Sequence, residues 1–160
     1  MKVLLQRDGM DCGPSCLVMV ALHYGKLVDR DKLRRISSLG KDGVSLLGIS
    51  KAAEEIGFRT VGGRLSFETL ASEVPLPCIV HWNQNHFVIV YKIKRHRKGH
   101  YMISVADPGK GLVTYTKEEF CEHWVSTKTN GEKKVLHSFL NPRSNFIRKR
   151  MQKQFLLKIA

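Results

Sequence analysis

The stretch LQRDGMDCGPSC (residues 5–16) passes within a few positions from polar, turn-forming residues to a long apolar run. Pro14 suits the first turn of a helix, where its missing N–H is not needed. The residues that follow are apolar nearly all round, which predicts a buried helix over 12–24 that ends at Gly25. Cys12 would then stand at the N-terminus of a buried helix.

A cysteine at such a position can serve as a nucleophile. The backbone N–H groups of a helix N-terminus carry partial positive charge, which favours a thiolate. Gly13 follows Cys12 and is expected to leave the thiol approachable. The alternative is that Cys12 is a small core residue, as most free cysteines are. The polar residues RDGMD (7–11) just before it argue against burial and so favour the nucleophile.

Seven histidines could supply a base to this thiol, because the partners of a catalytic cysteine meet it in space rather than in sequence. Four of them are expected to be solvated in a basic turn or structural on a helix: His96, His100, His23 and His123. His81 and His86 flank a predicted hairpin, and His86 opens its second strand. The ring of His86 would therefore project from the end of a strand.

Antiparallel pairing of neighbouring strands selects His86. Residues 86–93 and 101–106 are rich in β-branched and aromatic side chains and predict two consecutive strands. If they pair antiparallel, the start of the first lies beside the end of the second. Asp107, which precedes Pro108, would then be a neighbour of His86 and could orient its ring.

Acyl transfer also needs hydrogen-bond donors for the oxyanion that develops on the carbonyl oxygen. The backbone N–H of Cys12 is one candidate. The side-chain amide of Gln6, on the same polar segment, is a second. Taken alone, Gln6 could equally be a surface glutamine, so its role depends on the other residues.

The remaining pattern predicts an α+β fold, with helices in the N-terminal part packed on an antiparallel sheet in the C-terminal part. Further helices are predicted over 29–40, 45–57, 66–74 and 117–124, and strands over 76–82, 86–95, 100–108, 111–115 and 133–140. Three residues are predicted N-caps: Ser45, Ser66 and Thr116.

Length and composition set limits on the class of protein. A chain of 160 residues with 42% hydrophobic and 26% charged residues is expected to form one globular domain. No apolar run approaches the roughly 18 residues that a membrane span needs. Of the four cysteines only Cys12 and Cys16 are close in sequence, so neither a disulfide scaffold nor a metal site is predicted.

The net charge of +13 is unevenly spread. Residues 143–160 hold six Lys/Arg and no acidic residue, and Ile147, Met151 and Phe155 would share one helical face. Such a tail can be a frayed end, or an amphipathic helix on an anionic membrane surface that leads toward a transmembrane region. The second basic cluster, 92–100, is expected to be a solvated turn. No nucleic-acid-binding signature accompanies either cluster, so no nucleic-acid partner is predicted.

Together these residues resemble the bacteriocin-processing cysteine peptidases, the papain-like N-terminal domains of peptidase-containing ABC transporters in bacteria. The resemblance covers roughly residues 1–140. It rests on Q-x4-D-C (Gln6, Asp11, Cys12), Met19, YG (24–25), HFVIV (86–90) and DPG (107–109). It implies a peptidase domain over 1–142, with 143–160 as a tail linked to a transmembrane region.

The resemblance implies Cys12 as nucleophile, His86 as general base and acid, Asp107 as the residue that orients His86, and Gln6 as oxyanion donor. The implied substrate is a leader peptide cleaved after a Gly-Gly pair. The implied partners are the transmembrane and nucleotide-binding domains of the transporter, at the cytoplasmic face of the inner membrane. No cofactor is expected for the peptidase domain, and ATP is expected only in the full-length transporter.

Two residues depart from the family pattern. Ser15 stands where alanine is usual and Arg30 where an aliphatic residue is common, and neither is expected to touch the chemistry. A non-catalytic domain that docks cargo for export remains an alternative, as does another amide transfer such as transglutamination. A reactive Cys12 would favour the peptidase over the docking domain. A requirement for a Gly-Gly pair in the substrate would favour the peptidase over a transglutaminase.

Overall fold

Five helices and six strands lie in the parts of the chain that the computed structural model describes, residues 1–37, 44–83, 85–124 and, for the backbone, 133–140. In chain order they are α1 (Cys12–His23), α2 (Arg30–Ser37), α3 (Leu46–Glu55), β1 (Arg59–Leu65), α4 (Phe67–Glu73), β2 (Cys78–Trp82), β3 (His86–Arg95), β4 (Tyr101–Asp107), β5 (Gly111–Thr116), α5 (Lys117–Trp124) and β6 (Lys133–Leu140). The predicted helices and strands are therefore present, with bounds that shift by a few residues.

The six strands form one sheet in the order β1-β6-β2-β3-β4-β5, and every neighbouring pair is antiparallel. The sequence analysis missed β1, which lies between the predicted helices α3 and α4, so the N-terminal part of the domain is not entirely helical. The segment RTVGGRL contains adjacent glycines, which weaken a strand, and only Leu65 of it is buried. Pairing with the distant strand β6 forms this edge strand, and no local pattern reveals that pairing.

The predicted N-caps are confirmed. Ser45 and Ser66 each accept a hydrogen bond from the backbone N–H three residues further on, at 3.0 and 3.2 Å. Thr116 Oγ1 accepts from the Glu119 N–H at 3.3 Å, and Glu119 Oε2 accepts from the Thr116 N–H at 2.8 Å. This reciprocal pair is a capping box, and it fixes the turn from β5 into α5.

Alternation along the strands divides the core into two clusters, one on each face of the sheet. Ile79 and Ile89 belong to the cluster that contains the buried residues of α1, α2 and α3. Val80 and Val88, their sequence neighbours, belong to the cluster that contains α4 and α5. The N-terminal helices thus cover one face of the sheet, as expected, and the two later helices cover the other.

Helix α1 is the most deeply buried helix of the described structure, with residues 12–21 all buried. His23 near its end is exposed, and its ring meets that of Tyr24 edge-on with the centroids 5.2 Å apart, so its structural role stays a prediction. A Cβ on Gly13 would lie 2.5 Å from Val44 Cγ1 and 2.9 Å from Ile49 Cδ1. Gly13 is therefore required for packing α1 against its neighbours, rather than for access to the thiol.

The basic cluster 92–100 forms the outer end of the β3–β4 hairpin, and His96 and His100 are exposed there, as predicted. The tail 143–160 lies outside the described residues, so its amphipathic helix and the domain boundary after 142 stay predictions. Among the residues described, no helix is long and apolar enough to cross a membrane.

Gly48 allows α3 to approach the end of α2, which gives a test of the packing between these helices. A Cβ at Gly48 would lie 2.3 Å from the backbone oxygen of Ser37. We expect Gly48→Ala to lower the free energy of unfolding by about 1–3 kcal/mol in urea denaturation, because backbone must shift to admit the methyl group. The control is Gly9→Ala, whose Cβ would have no heavy atom within 4 Å. Equal stability of the two variants would contradict the close approach.

Candidate active site

The N-terminus of α1 carries Cys12, and the thiol is buried: only 3% of the residue is exposed. The expectation that the polar segment before Cys12 would prevent burial is wrong. Asp11 is itself 1% exposed, because guanidinium groups of Arg30 and Arg34 on α2 compensate its charge. A charged residue that is neutralised in this way can enter the interior beside Cys12.

Asp11 occupies the N-cap position of α1, yet its side chain makes no capping hydrogen bond. Its Oδ2 accepts from Arg30 Nη2 at 3.0 Å and from the backbone N–H of Arg7 at 3.3 Å. Arg34 Nη1 lies 3.4 Å from Oδ1, near enough for an ion pair but not a well-formed hydrogen bond. The carboxylate is thus bound by the two arginines and by the Arg7 N–H rather than by the first N–H groups of α1.

Cys16, one helical turn after Cys12, anchors α1 against the sheet. Its Sγ donates to the backbone oxygen of Phe87 at 3.3 Å. Burial, together with the nearby Cys12 and Asp107, raises the pKa of Cys16 well above its usual range, so this thiol stays protonated and donates. Because Phe87 follows His86, the bond holds the first turn of α1 opposite the start of β3.

His86 and Asp107 are in direct contact, as strand pairing predicts. His86 begins β3 and Asp107 ends β4, and the two strands are antiparallel. His86 Nε2 donates to Asp107 Oδ1 at 2.7 Å, and the backbone N–H of Gly109 donates to the same oxygen at 2.7 Å. Asp107 is only 2% exposed, so both bonds form in a largely dry environment.

The charges of this pair follow from its contacts. Burial would lower the pKa of His86, but hydrogen bonds and charges of Asp107 and Cys12 outweigh it and raise the pKa from 6.5 to about 9. Burial would raise the pKa of Asp107, but hydrogen bonds from His86 and the Gly109 N–H lower it below its usual range. The geometry thus favours an imidazolium beside a carboxylate at neutral pH. Nε2 faces Asp107, which leaves Nδ1 for the thiol of Cys12.

Gln6 lies at the same end of the molecule. Its backbone N–H donates to the backbone oxygen of Pro108, the residue after Asp107, at 2.8 Å. Its side-chain Oε1 is buried and has no hydrogen-bond partner among the described residues. The same is true of Oγ of Ser15, which lies in the first turns of α1. The structure therefore brings the four predicted site residues to one end of the sheet, where β3 begins and β4 ends.

Other histidines have local roles. His123 Nδ1 is 3.0 Å from Asn83 Oδ1, and its ring stacks on Trp82 with the centroids 5.1 Å apart, which confirms the predicted structural role. The ring of His81 packs against that of Phe87 at 5.0 Å. Within the described parts of the chain, no group of three or more His, Cys, Asp or Glu side chains could hold a metal ion.

Sequence reasoning missed two residues that contact the site segment, Arg30 and Arg34. It treated Arg30 as distant from the chemistry, whereas its guanidinium reaches the residue next to Cys12. The available signal is the spacing of the two arginines, since side chains four positions apart share one face of a helix. This spacing alone does not identify the partner of the two arginines, because the sequence does not show that the buried carboxylate of Asp11 lies opposite them.

A thiol at a helix N-terminus, beside a histidine that a carboxylate orients on an antiparallel sheet, is the arrangement of the papain-like cysteine peptidases. The model of the Peptidase C39 family matches residues 1–129 of this chain. The chain belongs to the Peptidase C39 family, which is a family of cysteine peptidases.

Curated relatives agree with this assignment. The chain is 36% identical over 128 residues to the lactococcin-G-processing and transport ATP-binding protein LagD of Lactococcus lactis subsp. lactis, a match that covers 77% of this chain. It is 34% identical over 122 residues, 76% of this chain, to the colicin V secretion/processing ATP-binding protein CvaB of Escherichia coli. The matched parts are only 18% of the first relative and 17% of the second, so both are much longer proteins.

Solved structures share the fold. A double glycine motif protease from an AMS/PCAT transporter, in complex with the leader peptide, has a TM-score of 0.70 and 32% identity over 85% of this chain and 90% of that chain. The peptidase domain of Streptococcus ComA, a bifunctional ABC transporter of a quorum sensing pathway, has a TM-score of 0.68 and 30% identity over 85% and 97%. The papain-like α+β fold is therefore confirmed.

Replacing Asp107 by asparagine tests the origin of the charge on His86. The change keeps the shape of the side chain and removes its charge, so we expect the pKa of His86 to fall from about 9 toward 6.5. NMR titration of the imidazole resonances measures this pKa, with His86→Gln to assign them. An unchanged titration would contradict the assigned cause.

The same pair makes stability depend on pH. Because folding raises the pKa of His86 from 6.5 to about 9, protonation of His86 stabilises the folded state. That contribution is complete below about pH 6.5 and is lost as the pH rises through 9. In Asp107→Asn the contribution of His86 should be smaller, and its loss should end at a lower pH than in the parent, which urea denaturation across this range would detect.

Proposed function

We propose that this chain is the N-terminal peptidase domain of a bacterial ABC exporter and that it cleaves the leader of an exported peptide after a Gly-Gly pair. The observation that carries the proposal is the hydrogen-bonded series of Cys12, His86 and Asp107 at the start of α1. The relatives support it, since they are named as processing and transport proteins, and so does the related protease whose structure holds a leader peptide.

In the proposed reaction Cys12 is the nucleophile, as a thiolate paired with the imidazolium of His86. Its Sγ attacks the carbonyl carbon of the second glycine, and the electron pair of the C=O bond moves to oxygen. The backbone N–H of Cys12 and the side-chain amide of Gln6 donate hydrogen bonds to that oxyanion. These donors stabilise the negatively charged oxygen of the tetrahedral intermediate more than the neutral carbonyl oxygen of the bound substrate.

When the intermediate collapses, the C–N bond breaks and His86 gives its proton to the leaving amine, which frees the cargo peptide. The leader stays bound to Cys12 as a thioester. Neutral His86 then takes a proton from water while that water attacks the thioester carbonyl. The C–S bond breaks, the leader leaves with a terminal carboxylate, and the thiolate–imidazolium pair is restored. Asp107 keeps the ring of His86 oriented throughout.

The proposed preference for glycine follows from access to the sulfur. Only 3% of Cys12 is exposed, so the peptide must bring its backbone close to α1. Glycine has no Cβ and allows such an approach, whereas any side chain at the scissile position would meet protein. Specificity at this point would therefore be steric.

The longer relatives also suggest where the domain works. We infer that the basic tail 143–160 lies against an anionic membrane surface and joins the domain to the transmembrane part of the exporter. The transmembrane and nucleotide-binding domains would be its partners, at the cytoplasmic face of the inner membrane, and ATP would be used there.

The peptidase step as proposed needs no cofactor, because side chains supply the nucleophile and the proton transfers. No nucleic acid takes part.

Cleavage of a synthetic leader peptide by the chain tests the reaction. We expect cleavage after the second glycine, with loss of cleavage when that glycine is changed to valine. Cys12→Ala should abolish activity, whereas Cys121→Ala, on α5, should leave it within about twofold of the parent, as for surface changes remote from a site. Mass spectrometry of the products locates the cut. A cut at another position, or full activity of Cys12→Ala, would refute the proposal.

Alkylation distinguishes the peptidase from a docking domain of the same fold. Burial raises the pKa of Cys16 well above its usual range and that of Cys78 to about 12, so both thiols should react slowly. If Cys12 is held as a thiolate by His86, iodoacetamide near pH 6–7 should label Cys12 much faster, and His86→Ala should slow that labelling. Equal and slow labelling of all cysteines would favour docking without catalysis.

A further inference from the structure

Arg30 binds both chain segments that carry the proposed oxyanion donors. Its Nη1 donates to the backbone oxygen of Leu5 at 3.0 Å, and its Nη2 donates to Asp11 Oδ2 at 3.0 Å. Leu5 directly precedes Gln6 in the sequence. Asp11 directly precedes Cys12. One guanidinium thus contacts the residue before each donor.

A guanidinium suits this task because it is planar and holds its N–H groups in a fixed fork. The side chain of Arg30 is 11% exposed and that of Asp11 is 1% exposed, so the charged hydrogen bond between them is largely shielded from water. Gln6 is held from the opposite side by its own N–H, which donates to Pro108 O at 2.8 Å. The backbone around Gln6 is therefore fixed at two points, one of which is Arg30.

Arg30, rather than the N-terminus of α1, binds the carboxylate of Asp11. Aspartate is among the best N-cap residues, so the side chain of Asp11 would be expected to accept from the first N–H groups of the helix. It makes no such bond here, and its shortest contact is with Arg30. The backbone of Asp11, with φ −94° and ψ −3°, is not the extended backbone usual for a capping residue, so its carboxylate binds Arg30 instead of the helix.

We propose that Arg30 is a positioning residue for the oxyanion site: it holds Gln6 and the backbone N–H of Cys12 at the separation that the tetrahedral intermediate requires. This inference rests on the proposed peptidase function. It assigns a role to an arginine at a position where an aliphatic residue is common in the family that this chain resembles.

The test uses Arg30→Met, which keeps the length of the side chain and removes the fork. We expect kcat for leader cleavage to fall about 100-fold, the cost of a misplacement of about 1 Å, while KM changes less than about twofold. Alkylation of Cys12 by iodoacetamide has no oxyanion, so its rate should stay within about twofold of the parent. Arg30→Lys keeps the charge but can make only one of the two contacts well, so its kcat should lie between those of the parent and Arg30→Met.

A double variant shows whether Arg30 acts through Gln6. Gln6→Ala alone should lower kcat by about 100- to 1,000-fold, the effect of removing one oxyanion donor. Adding Arg30→Met or Arg30→Lys to Gln6→Ala should then cost much less than it does in the parent, because the donor to be positioned is already absent. Arg30→Lys serves for this comparison if the methionine variant does not fold.

Arg7→Met is the matched control, since Arg7 lies on the same segment but pairs with Asp31 at the surface, where the side chains are 62% and 57% exposed. It should leave kcat within about twofold. Three results would overturn the inference and leave the proposed role of Gln6 as oxyanion donor intact. They are a kcat of Arg30→Met equal to that of the parent, a fall in the alkylation rate of Arg30→Met as large as the fall in kcat, and full additivity of Arg30→Met with Gln6→Ala. A normal kcat in Gln6→Ala would instead overturn the proposed oxyanion donor, and the inference with it.

Discussion

The contact between the first turns of α1 and the start of β3 is the constraint on which the site depends. Cys16 Sγ donates to Phe87 O at 3.3 Å, and both residues are deep in the core. Cys12 is one helical turn before Cys16, and His86 is one residue before Phe87. A single buried hydrogen bond, with the apolar packing around it, therefore sets how the thiol and the imidazole face each other. Sliding α1 by one turn would separate them.

The two cysteines of α1 have different neighbours. Burial without a cationic neighbour keeps Cys16 a neutral donor, because desolvation raises its pKa. Cys12 is buried as well, but it lies beside an imidazole whose pKa Asp107 helps to raise to about 9. Burial alone therefore does not decide whether a thiol in this helix is structural or reactive. The proposal that Cys12 is the reactive thiol rests instead on the imidazole that faces it.

A second charge system surrounds the segment before α1. A buried carboxylate at Asp11 is compatible with a stable fold only because α2 supplies guanidinium groups to it. The side chain of this aspartate makes no capping hydrogen bond to α1, and its Oδ2 accepts from Arg30 and from the backbone N–H of Arg7. Helix α2, which packs beside α1, thus contacts the segment before the proposed nucleophile without supplying a reacting group.

The sequence by itself determined the features that depend on short-range patterns. The buried helix after Cys12, the caps at Ser45 and Ser66, and the meeting of His86 with Asp107 follow from periodicity, capping chemistry and the antiparallel pairing of consecutive strands. Only the tertiary structure decided the edge strand Arg59–Leu65 and the ion pair of Arg30 with Asp11. Both join segments distant in the chain, and their energy comes from pairing and desolvation that exist only after those segments have met.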